Sequence, residues 1–118
     1  MALRELPVRQ RGVCCELTVP VEPAWADRTA ALLRALADPT RLSMVACLWR
    51  APSPVCICDF TATFELSQPT ISHHMAKLRS AGLIEAEKRG IWVYYRLRGD
   101  LSSPTASLLE AVLGGAAP

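Results

Sequence analysis

The 118-residue sequence has no run of 18 apolar residues, so no segment reads as a membrane span. The first twelve residues, MALRELPVRQRG, hold three arginines but no apolar stretch, so they do not read as a secretory signal and a cytoplasmic location is expected. Histidine is scarce: His73 and His74 are the two in the chain, and they are adjacent. Carboxylates are not clustered either, so sites for harder ions built on imidazole and carboxylate lack their ligands. There is no Cys-x-x-Cys, no evident cysteine–histidine pairing and no phosphate-cradling glycine loop. Enzyme chemistry therefore finds no residues to carry it, and no catalytic residue or catalytic cofactor is expected. No internal repeat or low-complexity tract is present.

What is present is enough for one folded domain. Apolar residues make up 51% of the chain, and a chain of this length buries roughly two-thirds of its unfolded surface. Net charge is only +2, but it is unevenly placed. Residues 77–98 hold six basic side chains against Glu85 and Glu87, whereas the rest has seven basic and nine acidic. A basic stretch in a near-neutral protein is the footprint of phosphate contact. The five cysteines, Cys14, Cys15, Cys47, Cys56 and Cys58, all lie in the first half. An odd count without a secretory signal argues against a disulfide framework.

Three units follow from the pattern: an arm over 1–23, a domain over 24–113 and a tail over 114–118. The arm contains Pro7, Pro20 and Pro23 and no helical period, with at most a short ordered piece near Cys14. From about Ala24 to Ala37 the chain turns helical, with Leu32, Leu33 and Leu36 on one face. Asp38-Pro39 caps and opens a second helix to about Arg50, expected to bury Leu42, Val45, Ala46 and Trp49. Asp59 is expected to cap a short third helix, Phe60 to Glu65. Ser67 caps a fourth, opened by Pro69, closed by Gly82 and buried through Ile71, Met75, Leu78 and Ala81. Two helices joined so tightly make a helix-turn-helix. The period then falls to two: Leu83 to Glu87 pairs with a strand in which Ile91, Val93, Tyr95 and Leu97 alternate with Trp92, Tyr94, Arg96 and Arg98. Lys88-Arg89-Gly90 is read as the turn between them. Past Pro104, Leu108, Leu109, Val112 and Leu113 form a last apolar helix, too short to be stable alone. The fold class is mostly α with a β-hairpin wing (α+β), a winged helix-turn-helix.

A recognition helix needs short polar side chains that reach base edges, flanked by cations on the phosphates. Gln68, Thr70, Ser72, His73 and Lys77 meet that need on the exposed face of the fourth helix. Arg89 at the hairpin end is placed for a minor groove or a phosphate. His74 falls beside the buried row and reads as packed within the domain.

Ala35 to Leu42 (ALADPTRL), Leu66 to Leu83 (LSQPTISHHMAKLRSAGL) and the hairpin ending in Tyr94-Tyr95-Arg96-Leu97 resemble the ArsR/SmtB family of metal-responsive bacterial repressors. The resemblance covers roughly residues 25–113. It implies a homodimer built on the first and last helices, which binds palindromic double-stranded operator DNA and leaves it when an inducer arrives. Half-sites about one helical turn apart then follow from two-fold symmetry.

Cys56-Ile57-Cys58-Asp59 resembles the thiolate motif that arsenic-responsive members carry at the start of this helix, but Thr61 stands where their third cysteine is found. Sulfur must then come from elsewhere, and Cys14-Cys15 on the polar arm is the obvious supply. Thiolates select soft acceptors. Trivalent arsenic, as arsenite, or antimony takes three of them as a neutral adduct, which is partly buried at little desolvation cost. The leading site is Cys14, Cys15 and Cys56. Cys58 either substitutes for one ligand or completes a four-thiolate cadmium or lead site. Cys47 falls at helical spacing on an apolar face and reads as core. A thiol redox sensor on the same fold, or a winged-helix module that binds protein instead of DNA, remains open at this point.

Overall fold

The computed structural model describes residues 5–114. Its elements in chain order are α1 (Pro23–Leu36), α2 (Pro39–Arg50), β1 (Val55–Cys56), α3 (Ile57–Phe64), α4 (Gln68–Ser80), β2 (Ile84–Arg89), β3 (Trp92–Leu97) and α5 (Ser103–Leu113). The strands form an antiparallel sheet in the order β1-β3-β2. Five helices and this small sheet give the expected winged helix-turn-helix.

Local chemistry sets most boundaries. Asp38, Ser67 and Ser102 each precede a helix with proline in its first turn, and each side chain accepts from the amide three residues on. The Asp38 carboxyl is held below its ordinary range, chiefly by that bond from the Arg41 amide. Gly82, at φ +77°, lets the chain leave α4 in the left-handed conformation that side chains resist.

One core unites the elements. Met44, Val45, Ile71, Met75, Leu78, Leu83 and Leu109 are fully buried, with Phe60, Ile84 and Leu113 nearly so. Burying a side chain of this size contributes about 1.5–3 kcal/mol. Ile71, Met75 and Leu78 therefore fix which face of α4 is left outside.

Five local expectations change, the simplest being that Ala81, expected in the buried row of α4, is half-buried at its C-cap. The third helix starts at Ile57 with Cys56 as its cap residue, and Asp59 occupies the third helical position. Its carboxylate reaches back to accept from the Cys56 amide at 3.2 Å, so the helix gains a turn before the expected start. Glu65, left-handed at φ 54°, ends it.

Helix α2 is rotated by about one residue from the expected row. It buries Met44, Val45 and Leu48, leaves Leu42 and Ala46 half-buried and leaves Trp49 exposed. Cys47, read as core, is exposed by the same rotation. The tether that accompanies this setting is Arg41, whose Nε donates to the Ala35 carbonyl at 2.7 Å across the two-residue turn from α1.

In the wing, Lys88 and Arg89 still pair with Val93 and Trp92, so the turn is Gly90-Ile91. Gly90 has φ +61° at the first turn position, where a type II′ hairpin favours glycine. Arg89 is thus the last residue of β2, and Ile91 is an exposed tip instead of a strand residue. On α1, Leu36 is buried and Leu32 half-buried, but Leu33 is exposed. The arm, from Glu5 to Glu22, has no helix or strand. A turn closed by the Val13 amide on the Gln10 carbonyl, with Gly12 at φ +79°, stands just before Cys14. The tail beyond Gly114 lies outside the described residues.

Candidate DNA-reading and thiol site

Helix α4 places Gln68, Thr70, His73 and Lys77 on its exposed face, beside the exposed Ala76. Thr70 is partly engaged at the helix start, its hydroxyl 2.8 Å from that of Ser67. Ser72 is half-buried and lies beside the Tyr95 hydroxyl, whose pKa burial raises against the opposing effects of Arg79 and Ser72. Ser72 therefore stands at the margin of the reading face. His74 is half-buried, with Nδ1 3.4 Å from the Arg41 guanidinium.

The basic stretch divides in two. On the sheet, Arg89 pairs with Glu87 at 3.1 Å, Arg96 with Glu85, and just beyond it Arg98 pairs with Asp100 at 2.7 Å. Those charges are partly neutralised within the chain. Among the described residues, Lys77 and Arg79 on α4 join no ion pair. Arg89, at the wing end, is exposed and held by Glu87 in an ion pair of the kind that exchanges readily with another anion.

The thiols also divide. Cys56 is buried and Cys58 exposed, yet their sulfurs are 2.9 Å apart, the Cys58 thiol donating to Cys56. That bond, with a smaller contribution from the Asp59 carboxylate, holds the Cys58 thiol above the ordinary cysteine value. Cys14 and Cys15 are both exposed on the arm, and an Arg9 guanidinium donates to the Cys15 sulfur at 3.5 Å. Among the described residues no three Cys, His, Asp or Glu side chains are gathered closely enough to hold a metal ion. The structure thus brings Cys56 and Cys58 together and leaves Cys14 and Cys15 apart from any such group. Cys56 and Cys58 fit a soft acceptor by donor type and reach. Two sulfurs on one ion at bonds of ~2.3 Å in a tetrahedral site stand roughly 3.8 Å apart, which this pair meets by opening less than about an ångström.

Residues 38–86, from the cap of α2 into β2, match the model of the bacterial regulatory protein arsR family. The chain is 39% identical over 82 residues to the arsenic resistance transcriptional regulator ArsR1 of Pseudomonas putida KT2440, covering 70% of this chain and 63% of that one. It is also 39% identical over 79 residues to the arsenical resistance operon repressor of Escherichia coli K12, covering 67% of each. This chain belongs to the ArsR family. These relatives are transcriptional regulators, not enzymes. In fold, the ArsR-family chain is similar to a winged helix-turn-helix DNA-binding domain of Mycobacterium bovis, Mb0332, solved in solution as a homodimer. The TM-score is 0.68 at 26% identity, over 86% of this chain and 90% of that one. No helix among the described residues is long and apolar enough to cross a membrane.

Sequence reasoning missed Arg41. It ties the end of α1 to α2 through the Arg34 and Ala35 carbonyls and reaches α4 at His74. The available signal was an arginine three residues past the Asp38 cap, within reach of the carbonyls that end the preceding helix.

Proposed function

We propose that this chain is a transcriptional repressor that binds palindromic operator DNA as a homodimer and dissociates on binding trivalent arsenic through cysteine thiolates. The carrying observation is the thiol pair at the start of α3: Cys56 and Cys58, 2.9 Å apart, sit at the first residues of the helix-turn-helix. The arsenical-resistance relatives support the choice of inducer. Gln68, Thr70, Ser72 and His73 enter the major groove on α4 with Lys77 at its edge, and Arg89 contacts a neighbouring minor groove or a phosphate from the wing. The exposed apolar side chains Trp25 and Leu33 on α1 and Val112 on α5 are suited to bury against a second copy.

The inducer acts by linkage. Three thiolates, from Cys14, Cys15 and Cys56, tie the arm to α3, the helix before the recognition helix. The tied dimer presents its two α4 helices at a spacing that no longer matches the half-sites, so inducer and DNA oppose each other by a few kcal/mol. The test is titration of the reduced protein with arsenite, antimonite and cadmium, with sulfur ligands counted by X-ray absorption and DNA release followed on the same samples. Three sulfurs around arsenic, with release, support the reading.

The 2.9 Å Cys56–Cys58 contact favours a second arrangement in which Cys58 is itself a ligand. Four sulfurs around cadmium, bound more tightly than arsenite, establish that arrangement in place of the first. Release by peroxide with disulfide formation and no metalloid uptake establishes a thiol redox sensor instead.

A further inference from the structure

A second cationic surface joins Lys77 of the basic stretch to two arginines outside it. A groove of about 440 Å³ runs between α1 and α4, and Arg34, Arg41, His73 and Lys77 line it with no acidic side chain among the lining residues. Between these side chains the lining is small, with Ala31, Ala35, Ala76 and Ser80. Arg34, His73 and Lys77 are exposed, and Arg41 is half-buried.

The cations here differ in state from Arg89, Arg96 and Arg98. Among the described residues the ion pairs are those of Arg89, Arg96 and Arg98, and none involves Arg34, Arg41 or Lys77. The Asp38 carboxylate accepts from the Arg41 amide, and that bond, with a smaller effect of the Arg41 charge, lowers its pKa. Charge is left over on Arg34 and Lys77, on opposite walls of the groove. Arg41 is already fixed in place: Nε donates to Ala35 at 2.7 Å, one terminal nitrogen to the Arg34 carbonyl at 3.3 Å, and the other lies 3.4 Å from His74 Nδ1. A guanidinium has five N–H groups, so two are left for a ligand, on a side chain that loses little further freedom when it binds one.

The groove is continuous with the reading face, because His73 and Lys77 belong to both. A helix lying in the major groove has a sugar–phosphate strand along each flank, and backbone contacts of this kind fix register without reading sequence. We propose that the α1–α4 groove seats the phosphodiester backbone of one DNA strand bordering the major groove, with Arg34 and Lys77 neutralising phosphates and Arg41 held between them. This rests on the DNA-binding reading above and extends the interface to α1, a helix that the basic stretch of the sequence does not include.

The test is the salt dependence of binding to a duplex recovered by the wild-type chain from a randomised pool. Each neutralised phosphate contributes about 0.9 to the slope of log affinity against log salt. Arg34→Gln removes an exposed side chain, so folding is retained. It is expected to lower the slope by about 0.9 per protomer bound while the recovered sequence stays the same. Arg50→Gln, at the exposed end of α2, is expected to keep the wild-type slope. An Arg34→Gln slope equal to that of Arg50→Gln overturns the proposal while leaving the DNA reading intact. Weaker binding at an unchanged slope overturns it as well, since the loss then comes from a contact other than phosphate. A wild-type chain that enriches no duplex removes both readings together.

Discussion

Cys14 and Cys15 are exposed on a segment with no helix or strand, steadied by one turn and a 3.5 Å contact from Arg9. Cys56 and Cys58 share a helix start, with sulfurs 2.9 Å apart and Asp59 bonded back to the Cys56 amide. The first pair sits on irregular backbone, whereas the second is fixed by a helix start and a strand pairing. A site assembled from both needs each property. In the proposed site the ordered pair would be the fixed point of attachment, and capture of the arm pair would be the displacement that DNA release reads.

Substitutions test that contrast. Cys56→Ser removes the fixed point, and the arsenite needed for half-release of DNA is expected to rise by more than about 100-fold, beyond the loss typical of an outer-shell partner. DNA binding without arsenite should persist, which an electrophoretic shift reads directly. The double variant Cys14→Ser, Cys15→Ser leaves Cys56 and Cys58, too few for a three-thiolate site, and is expected to raise the half-release concentration at least as far as Cys56→Ser does. Normal release by this variant shows that the arm has no sensing role, and the contrast between the pairs then loses its functional meaning. Asp59→Ala loosens the helix start: a stability loss of about 1 kcal/mol in urea is expected, with a weaker rise in half-release concentration than Cys56→Ser produces. Unchanged inducer affinity in that variant means that the order of the pair is incidental. Cys47→Ser should have the smallest effect, within about 0.5 kcal/mol and with unaltered release, because this thiol is exposed on α2 away from either pair.

Helix α4 was legible from sequence nearly to the residue. Its signals are local and agree: a serine cap, proline in the first turn, the buried row Ile71, Met75 and Leu78, and a glycine at positive φ after its end. Helix α2 was legible as a helix but not in its rotation. Two rows one residue apart are both apolar enough, and its setting goes with a non-local bond, Arg41 to the Ala35 carbonyl. The misplaced Cys47 and Trp49 follow from that single ambiguity. At α3 an aspartate was read as the cap residue, although the same side chain serves three positions into a helix by reaching back. In the wing, a turn of Gly90-Ile91 places an isoleucine where turn chemistry gives no hint of one. The cationic stretch was legible as charge, but its partial neutralisation by Glu85, Glu87 and Asp100 depends on strand register and a folded loop. As for the thiols, spacing identified the Cys56–Cys58 pair, whereas no local pattern encodes where a structureless arm goes.

The position of Cys56 has a mechanical consequence. It is the last residue of β1, paired with Tyr94 of β3, and the residue immediately before α3. The wing hairpin and the helix-turn-helix are thus pinned to one peptide unit, as two levers share a fulcrum. In the proposed switch, a pull on that sulfur would load the wing and the helix-turn-helix together.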